Sequence, residues 1–130
     1  MTPSRIYDSR APKPFRGRLA TGEIRLLSVA VTRDLASGEI TQDNFVPAGA
    51  TAISCNVTVV NTVGAGFITL NPGGNNVVSA ASVNWSETGQ ILNNGIVIAI
   101  NAGTRQITAI AGGGAGSQTD FVIDVTGYFG

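Results

Sequence analysis

Between Val46 and Phe129 the chain repeats one theme, short apolar runs separated by Gly, Asn and Pro. The clearest run is Thr51–Asn61, where Ile53, Cys55, Val57 and Val59 alternate with Ser54, Asn56 and Thr58. Alternation with period two predicts a strand with one face in a core and the other in water. Glu23–Val31 predicts a second strand, because Val29, Val31 and Thr32 oppose a helical reading of residues 24–35. Phe67–Asn71 follows the Gly64–Ala65–Gly66 break and is expected to be the hairpin partner of the 51–61 strand. Further strands are predicted at Val77–Trp85, Gly95–Ile100, Gln106–Ala111 and Phe121–Val125, with turns at Pro47–Gly49, Pro72–Asn76, Asn101–Gly103 and 112–116. Seven or eight short strands without a convincing helix predict an all-β fold, an antiparallel β-sandwich or jelly-roll-like arrangement.

The first twenty residues differ in texture. They hold Pro3, Pro12 and Pro14 among Arg5, Arg10, Lys13, Arg16 and Arg18. Proline fixes φ and biases its predecessor toward extended geometry, so residues 1–20 predict an extended basic arm, with room for a short edge strand at Ser4–Ser9. The arm has few large apolar side chains and is expected to be separable from a single domain over residues 21–130. A chain of 130 residues suits one such domain, burying roughly two-thirds of the surface its unfolded form exposes.

Composition narrows the chemistry. Apolar residues make up 43% of the chain and charged residues 12%, so there is material for a core but a surface built mainly from Thr, Ser, Asn and Gly. Such a surface suits an assembly better than isolation in solution. Net charge is zero, yet residues 1–33 hold seven basic side chains against two acidic, and residues 34–130 hold one against six. That asymmetry is either a solvated basic start or an arm that docks on an acidic partner, such as another copy of the chain. Nucleic acid is not the expected partner, because the basic residues are spread out and only Tyr7 and Phe15 lie among them. There is no histidine, one cysteine and eight acidic side chains, a poor supply for acid–base, nucleophilic or metal chemistry. No enzyme activity, cofactor or metal is expected. No apolar run approaches the length of a membrane span and the first residues hold no signal-peptide core, so membrane insertion is not expected. The chain is expected to be made in the cytoplasm.

Six pieces appear in order: Arg5–Arg10, Val46–Thr51, Asn56–Asn61, Gly66–Leu70, Ser82–Trp85 and Asp124–Phe129. Together they resemble a β-sandwich module of secreted and surface proteins of actinobacteria and related bacteria, which begins near Asp-Thr-Arg and ends in Asp-x-x-Gly-Tyr-Phe. The resemblance covers nearly the whole chain and implies an accessory, non-catalytic domain. In architecture the chain is also similar to the decoration and tail-associated proteins of tailed phages. That likeness implies an oligomeric structural protein on the virion surface, with its own copies and a capsid as partners. The alternative is a carbohydrate- or envelope-binding module on a bacterial surface.

Specific residues follow. Arg10 is expected to bridge Asp8 and Asp124 as a structural clasp if the terminal strands pair. Arg5, Arg10, Lys13, Phe15, Arg16 and Arg18 are the expected partner contacts of the arm. Under the alternative, Trp85 with Asn84, Asn93 and Asn94 forms a ligand platform; the simpler reading is that Trp85 plugs the core. Cys55 is expected to be an inert core side chain. Asp120 and Asp124 should share a face roughly 13 Å apart, too far to hold one cation. Asp43–Asn44 lacks the dense oxygen loop a calcium site needs. The 112–116 glycine stretch has no lysine or following helix to cradle phosphate, and reads as a hairpin tip.

Overall fold

The computed structural model of the chain describes residues 2–78 and 80–130. It is all-β, with several antiparallel sheets that do not close into a barrel. The strands are β1 (Ser4–Asp8), β2 (Leu19–Ala20), β3 (Ile24–Ser28), β4 (Thr32–Arg33), β5 (Ile40–Gln42), β6 (Ala52–Val63), β7 (Gly66–Pro72), β8 (Val83–Trp85), β9 (Leu92–Ala99), β10 (Gln106–Gly113) and β11 (Gln118–Phe129). One sheet runs β1-β11-β6-β9, with β2 also on β11; a second runs β3-β10-β7-β8; β4 and β5 form a small ribbon. Ile53, Cys55, Val57 and Val59 of β6 face inward as the alternation requires, opposite Ile68 of β7 and Ile107 and Ala109 of β10. The inward side chains of both sheets thus share one core.

Two sequence expectations about connections are corrected. β7 is not the hairpin partner of β6; it pairs with β10 and β8, while β6 pairs with β11 and β9. The Gly64–Ala65 step carries the chain from one sheet to the other, which a hairpin-length turn does not reveal. The glycine stretch is likewise no hairpin tip, since β10 and β11 belong to different sheets. Its turn is fastened by the Ser117 hydroxyl on the Ala65 carbonyl (2.7 Å) and the Thr21 hydroxyl on the Gly114 carbonyl (3.0 Å).

The strand expected over 77–85 shrinks to Val83–Trp85, and Ser79 within it lies outside the described residues. Residues 73–78 and 80–82 lie over the outer face of the second sheet, their backbone held by side chains as well as by the Gly73 and Ser82 amides on the Gln106 and Ile68 carbonyls. Asn71 donates to the carbonyl of Val77 (2.7 Å), Thr69 donates to that of Ala80 (3.0 Å), and Thr108 accepts from the Gly74 amide (2.9 Å). These three side chains are buried and so find the partners burial demands.

The largest departure concerns residues 1–20, of which Met1 lies outside the described residues. The segment expected to be separable carries Ile6, Tyr7 and Leu19 into the core, each no more than 1% exposed. β1 and β2 both pair with β11. A further tie is Arg25, a buried cation on β3 whose ion-pair partners would ordinarily be carboxylates. Instead its guanidinium donates to the Tyr7 hydroxyl (2.8 Å) and to the Gly17 carbonyl (2.8 Å), and lies 4.5 Å from the Phe15 ring centre. The Tyr7 hydroxyl in turn donates to the Phe15 carbonyl (2.6 Å). Burial raises the Tyr7 hydroxyl above its usual range, against the Arg25 charge, so it stays protonated and able to donate.

Candidate functional site

The outward face of the β1-β11-β6-β9 sheet gathers the charged side chains. β1 and β11 pair with Arg5 directly opposite Asp124, and the Arg5 Nε lies 3.0 Å from Asp124 Oδ1. The same guanidinium reaches Asp8 Oδ2 at 3.5 Å. Arg10 lies past the end of β1 and bends back onto Asp8, giving a two-point contact with both separations 3.0 Å. The clasp is therefore present with a different centre: Arg5, not Arg10, joins Asp8 to Asp124. Strand register decides this, because Arg5 faces Asp124 across the ladder while Arg10 has left it. Burial pushes the Asp8 carboxyl up, but the side-chain and backbone hydrogen bonds from Arg10, with the Arg10 and Arg5 charges, outweigh it and hold the carboxyl below its usual range. The Asp8 hydrogen bond correspondingly raises Arg10.

Two of the clefts beside this cluster are lined by further charged side chains. The larger, about 720 Å³, opens between the sheet and the β4–β5 ribbon and is lined by Arg5, Asn56, Asp124, Thr126, Thr32 and Arg33 among others. Its polar groups largely satisfy one another: the Thr32 and Thr41 hydroxyls lie 2.8 Å apart, and Arg33 donates to the Gly38 carbonyl at 2.8 Å. The smaller, about 410 Å³, is ringed by Arg10, Arg16 and Arg18 over Asp120. Asp120 accepts from Ser9 (2.8 Å) and Asn61 (3.0 Å), and Asp124 is taken by Arg5, so the two carboxylates belong to separate networks.

The other expected contacts are mostly occupied within the chain. Lys13 meets Glu39 at 2.7 Å and Arg18 donates to the Asn61 carbonyl at 3.0 Å. Phe15 is 57% exposed with Arg25 against its ring, and Arg16 stands exposed at the rim of the smaller cleft. Trp85 is buried, and its indole N–H has no partner among the described residues. Its ring therefore presents no stacking face, and the platform expected with Asn84, Asn93 and Asn94 does not form around it. Asn94 instead donates to the Ser82 carbonyl (2.9 Å). Asn44 accepts from Arg105 at 2.8 Å, which takes the side-chain oxygen of the Asp43–Asn44 corner.

The one hydroxyl this cluster sets against a carboxylate among the described residues, Ser9 on Asp120, is buried and also accepts from the Phe121 amide (2.9 Å), so it is held within the fold's own hydrogen bonding. Cys55 is buried in the core, and burial pushes its thiol up to about 12, far from the reactive thiolate form. Among the described residues no group of three or more His, Cys, Asp and Glu side chains is placed to hold a metal, and no helix is long and apolar enough to cross a membrane. What sequence reasoning missed is Arg25, inside the predicted strand over Glu23–Val31, and Arg33, two residues beyond it, single cations with no local signal of their tertiary partners. No family model matches the chain, and no curated protein sequence or solved structure is significantly similar to it.

Proposed function

We propose that this chain is a non-enzymatic structural protein whose work is assembly: a β-sandwich, jelly-roll-like component of a phage virion, of the capsid-decoration or tail-associated kind, acting as a homo-oligomer. The sandwich reading rests on two sheets that share one core and on the ordered motifs from Arg5–Arg10 to Asp124–Phe129. The observation that carries the assembly reading is the surface. Ile24, Leu26, Leu35, Ile40, Val77, Val78, Ile91 and Val97 are each between 48% and 71% exposed on a chain with only 12% charged residues. A surface so apolar and so lightly charged gains by being covered. The basic segment contributes mainly through Phe15 and Arg16, since Arg5, Arg10, Lys13 and Arg18 are engaged internally. Sedimentation equilibrium at tens of micromolar tests the reading. An oligomer is expected, and a stable monomer across that range would overturn it.

A further inference from the structure

Sheet edges are where one chain can add to another, and the edges here are not alike. β1 carries Arg5 and Asp8, β3 carries Arg25, and β8 is three residues long. β9 is eight residues, pairs among the described residues only with β6, and contains neither charge nor proline. The uncharged run around it extends from Thr88 to Thr104. Charge and proline are the features that keep an edge from pairing, and β9 has none of them.

Its register shows which groups are free. The Ile100 amide bonds the Thr51 carbonyl, and Ala99 lies opposite Ala52 with Gly95 opposite Asn56. In an antiparallel ladder alternate residues turn their backbone groups toward the neighbour. Residues 94, 96 and 98 thus face β6, and the N–H and C=O of Asn93, Gly95, Val97 and Ala99 face outward, symmetric about Ile96.

Resting on the assembly reading above, we infer that β9 is the self-association edge: two copies pair antiparallel along it, about a two-fold axis at Ile96, joining their sheets into one. The geometry selects a second copy as the occupant. A charged partner finds no complement along an uncharged edge, whereas the edge complements itself and a chain of zero net charge does not repel its copy. The axis sets Val97 of each copy opposite Gly95 of the other and Asn93 opposite Ala99. Val97 is 63% exposed, and a Cβ at Gly95 would meet nothing within 4 Å, so each Val97 enters an open position.

Amide hydrogen exchange on the intact chain, read at low and high concentration beside the sedimentation mass, tests this. The expected result is an alternation: residues 94, 96 and 98 protected at both concentrations, and residues 93, 95, 97 and 99 gaining at least tenfold protection only when the protein associates. Val97→Lys, placed on an exposed position, should raise the dissociation constant at least tenfold while the β6-facing amides keep their protection. An oligomer whose odd-numbered β9 amides exchange equally at both concentrations would leave assembly standing and overturn the β9 edge. A monomer at every concentration would overturn the assembly reading as well.

Discussion

Asp8 shows how a single residue can tie a strand down by charge. It is 5% exposed and accepts from two arginines, so its folded carboxyl titrates below the ordinary aspartate value of about 3.9. A depressed carboxyl contributes stability that is complete above the unfolded value and is lost as pH falls through the folded one. Thermal unfolding followed from pH 6 down to pH 2 should therefore show a loss below about pH 4 that is smaller in Asp8→Asn. Asp34, held low by the Ser37 and Ala36 amides and the Ser37 hydroxyl, titrates in the same window, so the variant should flatten only part of the slope. An unchanged slope in Asp8→Asn would remove Asp8 from the account.

At the scale of elements, the segment over residues 1–20 is part of the body. Deleting it removes Ile6, Tyr7 and Leu19 from the core and leaves Arg25 buried without the Tyr7 hydroxyl and Gly17 carbonyl. Burial of those three side chains stabilises by about 1.5–3 kcal/mol each, comparable with the whole stability of a domain. Loss of cooperative thermal unfolding is expected in the truncated chain; a truncated chain that melts as sharply as the full one would contradict it. Gly38→Ala should disturb the same segment at a different point, because a Cβ there would collide with the Lys13 backbone carbonyl, and a lowered thermal midpoint is the expected outcome. These contacts also explain what sequence could and could not show. β6 was legible because four apolar residues alternate without interruption, and Cys55 was placed correctly as an inward residue of that strand. The partners of β6 and β7 were not legible, since a short glycine turn serves equally for a hairpin or for a step between sheets. Proline and arginine made residues 1–20 look separable, when what holds them is pairing with β11, the burial of Ile6, Tyr7 and Leu19, and Arg25, all lying outside the segment or masked by its composition. The clasp was legible in its two carboxylates and not in its centre, because one residue of register decides which arginine faces Asp124.

For the whole molecule, Cys55 reports on opening. Its thiol lies in the shared core and is pushed up to about 12 by burial, so alkylation requires the sheets to part. Modification by iodoacetamide at pH 8 should run at least about a thousandfold slower in the native protein than in denaturant, following the fraction unfolded. Comparable rates would mean that the core admits reagent without unfolding. The order of the strands carries a further consequence, for the time course of synthesis. β11 lies between β1 and β6 and also carries β2, yet it is the last of these strands to be made. Until it emerges from the ribosome, β1, β2 and β6 wait beside the gap it will fill, and the uncharged β9 is already present at the far side of β6. Non-local pairing of this kind is slow and exposes apolar strands while it waits. The interval before β11 is complete is therefore when the unpaired edges of β1 and β6 are open to pairing with another chain.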